Sequence, residues 1–395
     1  MCCQLGAREH YAIPRALFRQ GALDYLLTDA WVAPGSALAV LSHALTERFH
    51  ADLAEARVRA WNGGLLGFEV IARLKCLSGW PFVLARNHWF QGRVAFSLSR
   101  HHTSLSSQST LFSYSYAALE PLRFAKSQGW KTVLGQIDPG PVEEEIVADE
   151  AEREASLDLN WTRAPADYWR SWREECDAAD HIVVNSQWSF NALAQTGIQK
   201  EKLSIIPLAF ENDIPSVLPK KYPRQFTDTR PLRVLFLGQI NLRKGIARLL
   251  KVARLFQSQP VKFLMVGPIQ LSIPEDSRSN RKIQWVGPVA RNKVRNFYDQ
   301  ADVFILPTLS DGFGLTQLEA LAHRVPVIAS RRCGEVVTDR VNGLLLEEPT
   351  ANAIEAALGS CLQNPDQLAH FSENATIGKQ FSLPRLGAKL CTLAA

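Results

Sequence analysis

Short apolar runs alternate with amphipathic stretches along most of the chain. In the second half Arg233–Leu237, Lys262–Val266, Ile283–Val286, Asp302–Leu306, Val325–Ala329 and Leu344–Leu346 read as strands. Ile246–Phe256, Arg291–Gln300 and Thr316–Ala322 read as helices between them. The first half shows the same alternation. Strands are expected at Tyr25–Thr28, Trp80–Ala85, Leu111–Tyr114, Thr132–Ile137, His181–Asn185 and Leu203–Ile206. Helices are expected at Ala7–Arg19, Ala117–Gln128, Val142–Leu157 and Gln187–Thr196, with Gly129 and Gly197 as stops. Such alternation predicts parallel sheets with helical crossovers.

Between the halves, Asn212–Pro231 carries Pro215, Pro219, Pro223 and Pro231 with charges and few apolar residues, as a linker does. The division is therefore a first α/β domain over 1–210, a linker over 211–231, and a second over 232–364. A helical segment over 365–395 is expected to pack back on the first domain. Two doubly wound domains place a ligand in the cleft between them, at the carboxyl ends of the strands.

The 395 residues suit two domains rather than one core. With 46% hydrophobic and 21% charged residues the composition is that of a globular protein. A net charge of +5 permits an acidic ligand or an anionic membrane surface without demanding either. No Lys/Arg run with interleaved aromatics points to nucleic acid. The seven cysteines are scattered without a C-x-x-C pair, which argues for reduced thiols. Cys2-Cys3 could carry acyl groups, but a short buried strand is the plainer reading. No apolar run reaches the length of a membrane span, and the N-terminus lacks a basic-then-apolar signal pattern. These features place the chain in the cytoplasm, with room for peripheral contact at the inner membrane face.

The stretch with most chemistry is LPTLSDGFGLTQLEALA, Leu306–Ala322. An apolar strand runs into a polar turn, and a helix starts near Thr316. Gly312 and Gly314 let backbone approach a ligand closely. The helix N-terminus offers N–H groups to an anion. Asp311 and Glu319, eight positions apart, can accept hydrogen bonds from sugar hydroxyls. Phosphate donors and hydroxyl acceptors within one turn point to a nucleotide sugar. A second cluster, LGQINLRKGIARLL, follows the first strand of the second half. There Gly238 ends the strand, and Arg243 and Lys244 precede Gly245 and a helix. Two adjacent cations at a strand–helix junction suit a diphosphate, although a solvated loop would look alike. No G-x-G-x-x-G follows a strand, which disfavours a dinucleotide oxidoreductase.

From about His181 to Glu347 the chain resembles the retaining nucleotide-sugar glycosyltransferases of family 4, which have the GT-B fold of two Rossmann-like domains. The resemblance rests on HIVVNSQWSFNALAQTGIQKEKLSIIPLAF, LFLGQINLRKGI, KFLMVG, IQWVGPVARNKVRNFYDQADVFILPTLSDGFGLTQLEALAHRVPVIAS and NGLLLEE. It implies a donor loop at Gly238 and Gln239, with Lys244 and Arg243 on the donor diphosphate. It further implies Glu319 on the ribose, Asp311 on the sugar hydroxyls, and backbone N–H groups from Phe313, Gly314 and Leu315. Base recognition would fall at Val286 to Pro288, Gly287 included. The implied reaction needs no protein nucleophile, and no D-x-D metal motif is present, so neither a metal nor another cofactor is expected. Two departures stand out. Asp311 replaces the family's usual Glu, and Gln239 stands where Arg is frequent, with Arg243 available to supply that charge.

In the first half Leu134–Glu145 is the clearest candidate: a strand ends at Ile137 and Asp138-Pro139-Gly140-Pro141 makes a rigid turn. Relatives often carry a His near this place. Here Gln136 and Asp138 stand there, and either could face the cleft. Gly6, with Arg8 and His10, resembles an acceptor-side loop. His101-His102 reads as a surface loop without a third metal ligand. Glu143–Glu145 with Asp149, Glu150, Glu152 and Glu154 reads as a solvated helix face. The resemblance implies a hexosyltransferase acting on a glycan, lipid or small-molecule hydroxyl, in glycan or glycolipid assembly. A GT-B sugar-nucleotide epimerase and a catalytically silent nucleotide-sugar-binding protein are its rivals. Base, sugar, acceptor and oligomeric state are not encoded in any motif.

Overall fold

The computed structural model describes residues 1–36, 47–101, 109–157, 161–211 and 217–394. It contains two separate sheets, each parallel throughout. The first comprises β1 (Cys2–Gln4), β2 (Leu26–Thr28), β3 (Val58–Ala60), β4 (Thr110–Tyr114), β5 (Lys131–Gly135), β6 (His181–Val184) and β7 (Leu203–Ile205), in the order β3-β2-β1-β4-β5-β6-β7. The second comprises β8 (Leu232–Leu237), β9 (Val261–Val266), β10 (Ile283–Gly287), β11 (Val303–Leu306), β12 (Val327–Ser330) and β13 (Gly343–Leu346), in the order β10-β9-β8-β11-β12-β13. Both sheets reverse direction of growth beside their first strand. That reversal is the doubly wound topology, and it opens a crevice between β1 and β4 and another between β8 and β11.

The crossovers on the first sheet are α1 (Ala12–Arg19), α2 (Asn62–Leu74), α3 (Gly79–His101), α4 (Leu119–Ser127), α5 (Pro141–Arg153), α6 (Ala166–Ala178) and α7 (Gln187–Gln195). Those on the second are α8 (Ile246–Leu255), the single turn α9 (Glu275–Arg278), α10 (Arg291–Gln300) and α11 (Thr316–Ala322), and α12 (Ala351–Gln363) and α13 (Pro365–Asn374) follow its last strand. α14 (Leu383–Ala394) returns to the first sheet: Leu383, Leu386 and Leu390 bury against Tyr11, Ile13 and Ala16. Past the undescribed residues 212–216, the linker lies along the second sheet. Arg230 grips Asp302 through both oxygens at 2.7 and 2.6 Å, and Tyr222 donates to the Asp302 carbonyl at 2.8 Å.

Trp80–Ala85 is not a strand but the start of α3. A six-residue apolar run cannot tell a strand from a buried helical turn. The helix is decided farther on, where Phe90, Val94 and Leu98 recur at helical spacing and bury against Cys3, Leu27 and Leu111. The first helix also starts later than Ala7. Glu9, His10 and Tyr11 all take left-handed backbone angles (φ 50, 52 and 60°), so regular helix begins at Ala12. β3, α2, α6, α9 and α12 are additional elements. Cys2 and Cys3 are fully buried in β1.

Candidate functional site

Two loops leaving adjacent strands of the second sheet form the centre of the site. After β8, Asn241 caps a single helical turn over Leu242–Lys244 by accepting from the Lys244 N–H at 3.1 Å. Gly245 closes that turn with φ 73°, and any Cβ there would collide with the Pro307 carbonyl of the second loop. Only glycine meets both demands. The loops are tied by the Leu309 N–H and the Thr308 hydroxyl, which both donate to the Arg243 carbonyl at 2.8 and 3.1 Å. Arg243 and Lys244 are thereby held facing Asp311.

The Lys244 ammonium is ion-paired with Asp311 Oδ2, and the Arg243 guanidinium lies 3.6 Å from Oδ1 and donates to the Ser310 carbonyl at 3.3 Å. Burial alone would push the Asp311 carboxyl up. The two cations override it and hold the group below its ordinary range. Two cations thus converge on Asp311 at the switch point between β8 and β11, with Glu143 also 3.6 Å from Arg243.

Glu319 sits in the first turn of α11, one oxygen accepting from the Tyr298 hydroxyl at 2.9 Å. Burial raises its pKa. It lines a cavity of about 440 Å³ with Leu315 and Arg291, opposite His10, Arg15 and Glu211 of the first half. Gly314, between Asp311 and Glu319, has φ 80°. Val286 and Gly287 end β10, where the Gly287 carbonyl accepts from the Gly267 N–H at 2.9 Å. Gly238, with φ 149°, and Gln239 lead from β8 into the cation loop.

The first half closes over this centre. A Cβ on Gly312 would collide with the Ile137 carbonyl, so the Asp311 loop touches the backbone beside Asp138 directly. The Trp188 indole N–H donates to Ser310 Oγ at 3.0 Å, and Glu335 accepts from the Gln187 N–H at 2.9 Å. Farther along, Arg248 binds Glu150 through two contacts at 3.1 and 2.8 Å.

Gln136 and Asp138 are resolved by their partners. Gln136 is buried, its carbonyl oxygen taken by the Trp172 indole at 3.0 Å and its amide directed at the Tyr116 hydroxyl and at Asp138. Asp138 borders a cavity of about 260 Å³ that Trp80, Tyr116, Glu143, Tyr168 and Arg243 also line. Gln136 thus positions Asp138, and Asp138 faces the cleft. Gly6 takes φ 82°, and its N–H donates to the fully buried Asp29 at 2.9 Å.

The acidic run on α5 is a solvated face only in part: Glu145, Asp149 and Glu152 are exposed, and the other acids are engaged. Glu143 points at Arg243 (3.6 Å), Glu144 accepts from the Trp169 indole (2.8 Å), and Glu150 and Glu154 pair with Arg248 and Lys251 of the other half. Periodicity missed this because the partners lie on α8 and its entry loop, far away in sequence. Burial pushes the Glu143 acid up to about 8, with Asp138 and Asp311 adding to it against Arg243. Its second oxygen is buried without a hydrogen-bond partner among the described residues. His102 lies outside the described residues. Among the described residues no helix is long and apolar enough to cross a membrane.

Residues 220–377 match the protein family described as glycosyl transferases group 1. Over 220 residues the chain is 27% identical to D-inositol 3-phosphate glycosyltransferase 2 of Catenulispora acidiphila, a match covering 50% of this chain and 52% of that protein. The chain spans about half the length of the curated relatives it matches. Among solved structures, sucrose-phosphate synthase from Thermosynechococcus elongatus gives a TM-score of 0.69 at 16% identity, over 99% of this chain and 97% of that one. Anabaena HepE, crystallised with UDP and glucose, gives 0.62 at 14% identity over 99% and 97%. The likeness extends over both sheets and their mutual packing: the architecture is GT-B.

Proposed function

We propose that this chain, whose residues 220–377 match the group 1 glycosyl transferases, is a retaining, metal-independent glycosyltransferase that moves a sugar from a nucleoside diphosphate to a hydroxyl acceptor. The acceptor is a glycan, a lipid or a small molecule, and the setting is glycan or glycolipid biosynthesis in the cytoplasm. Contact with a membrane surface, where lipid-borne hydroxyls are met, belongs to the same reading. The observation that carries it is the pair of cations, Lys244 and Arg243, held together at Asp311, one loop away from the carboxylate of Glu319 in an open cavity.

In this reading the diphosphate takes the place of Asp311 as partner of Lys244 and Arg243. Asp311 is then released toward the sugar hydroxyls, and Glu319 accepts from the ribose. The bond from the anomeric carbon to the phosphate oxygen breaks, and its electron pair leaves with the nucleoside diphosphate. The two cations stabilise that developing charge, the kind of preorganised electrostatics that dominates many enzymes' rate gain. The acceptor oxygen bonds to the anomeric carbon on the face just vacated, and its proton passes to the departing phosphate. Closure of the Ile137–Asp138 backbone onto Gly312 keeps competing water out.

The test is thermal shift of the purified protein against UDP, GDP, ADP, dTDP and CMP, with Mg²⁺ or with a chelator, alongside Lys244→Ala. Stabilisation by one nucleoside diphosphate, independent of metal and lost in the variant, supports the reading. Stabilisation that requires Mg²⁺ removes metal independence, and no shift with any nucleotide removes the donor site. Turnover of the donor without an acceptor would favour an epimerase, and tight binding with no turnover a silent protein.

A further inference from the structure

Ten large apolar side chains are markedly exposed among the described residues, and six of them sit on one helical hairpin: Leu66, Val70, Ile71 and Leu74 on α2, Val83 and Phe96 on α3. α2 is apolar on both sides. Its inner face packs Leu65, Phe68 and Ala72, with the Phe68 ring 5.5 Å from Trp89 and 5.8 Å from Phe82. Its outer face is the stripe 66, 70, 71, 74, and Leu74 is 80% exposed. A helix apolar all round is normally enclosed, and a contiguous open apolar face marks a place where something docks.

Charge around the stripe says what docks. Arg73 and Lys75 stand exposed at the C-terminal end of α2. Arg93, also exposed, comes beside Gly64 near its N-terminal end, and Arg100 lies over the Phe96 ring at 4.7 Å. Against these the hairpin carries one acid, the half-buried Glu69. A second copy of the same patch would set like charges against one another. An anionic lipid surface offers both complements, acyl chains for the stripe and phosphates for the cations.

We infer that the α2–α3 hairpin seats the protein on an anionic lipid bilayer, with the outer face of α2 in the interfacial layer. α2 is 13 residues long, about 20 Å, so it lies along the surface rather than crossing it. The turn at its end leads straight to the cleft. Trp80 lines the cavity shared by Asp138, Glu143 and Arg243, and Val83 lines a smaller one beside Asp138. Docking therefore brings the mouth of the proposed transfer site to the membrane, and a hydroxyl carried on a lipid becomes the natural acceptor. The surface rests on its own observations. Only the remark about the acceptor depends on the glycosyltransferase reading.

Cys76, in the turn after α2, is the exposed cysteine among the described residues, Cys391 being half-buried and the other five buried. The experiment labels Cys76 with a polarity-sensitive dye and adds vesicles of pure phosphatidylcholine or of phosphatidylcholine mixed with phosphatidylglycerol, whose negative surface attracts basic side chains. No donor nucleotide is present. The expected result is a blue shift and co-sedimentation with anionic vesicles only, at least ~10-fold weaker at 0.5 M salt, as screening of a few surface charges requires. Ile71→Glu with Leu74→Glu should abolish both, as should Arg73→Glu with Lys75→Glu. All four positions are exposed, so the variants keep the fold, which an unchanged melting temperature verifies. No association with anionic vesicles overturns the inference. So does a dimer that the Ile71→Glu/Leu74→Glu variant dissolves, because a second copy would then own the patch. Nucleotide stabilisation measured on the same variants separates failure here from failure of the donor site.

Discussion

Lys244 and Asp311 close an ion pair across the mouths of β8 and β11, and Arg243 stands 3.6 Å from the other Asp311 oxygen. The site thus keeps its own carboxylate where the proposed diphosphate must go. Exchange of one anion for another costs less than stripping bare cations of water, because the buried charges are never left without a partner.

That arrangement separates two variants. Lys244→Ala should lower turnover by about 100-fold or more, the scale seen when one preorganised donor to a developing anion is removed. Asp311→Asn should behave differently toward the nucleotide alone. With the internal competitor neutralised, nucleoside diphosphate affinity should hold or tighten by up to about tenfold, or ~1.4 kcal/mol, while turnover falls. Calorimetric titration with the nucleoside diphosphate reads this. Weaker binding in Asp311→Asn would mean that the carboxylate does not compete with phosphate.

Glu319 serves Tyr298 with one oxygen and faces the cavity with the other. Glu319→Ala should weaken nucleotide binding by ~1–3 kcal/mol through the lost hydrogen bond. It should also lower the melting temperature, since the buried Tyr298 hydroxyl loses its carboxylate partner. Glu319→Gln keeps an acceptor for Tyr298 and should restore the melting temperature ahead of the affinity. Unaltered affinity in Glu319→Ala would remove the ribose contact.

Glu143 gives a pH-dependent test. Below the ordinary carboxylate range, near 4.5, the acid is protonated whether the chain is folded or not. As pH rises from there to about 8, the unfolded chain ionises Glu143 while the folded one resists, so stability is lost across that window and levels off above it. Glu143→Gln removes the penalty. Its stability relative to the parent should be near level at pH 4.5 and rise steadily toward pH 8 in denaturant titrations. A constant difference across that range would show that Glu143 is already ionised beside Arg243.

The second half of the fold was legible because each strand there is one apolar run and Gly238, Gly245, Gly312 and Gly314 fall in the loops that follow β8 and β11. Leu232–Leu237 and Val303–Leu306 fall within a residue of the expected bounds, and the loops after them carry Lys244 and Asp311. The first half was less so. Trp80–Ala85 satisfied a strand pattern, and only burial of Phe90, Val94 and Leu98 against another element made it helix. Glu143 was hidden for a different reason. An acid among acids on one helix looks solvated until the second half brings Arg243 to it, and nothing local encodes that approach. The left-handed run Glu9–Tyr11 likewise carries no glycine to announce it.

Gly312 tests closure itself. Its missing side chain lets the Asp311 loop rest on the Ile137 carbonyl, with Asp138 Cα 3.4 Å from where a Cβ would be. Gly312→Ala must push the two halves apart at this point. Lys244, Arg243 and Glu319 all belong to the second half and keep their places, so nucleoside diphosphate affinity should change less than threefold, under ~0.7 kcal/mol. The transfer step should suffer far more. Asp138 is drawn away from the Asp311 loop and water gains entry, so kcat should fall by about 10–100-fold while donor KM holds, as misplacement of about 1 Å does elsewhere. Hydrolysis of the donor relative to transfer should rise as well, and this is the sharper readout, because a merely destabilised protein loses both in proportion. If kcat and the hydrolysis ratio are both unmoved, the Gly312–Ile137 contact plays no part in catalysis, and closure must be sought instead at Trp188–Ser310 and Gln187–Glu335.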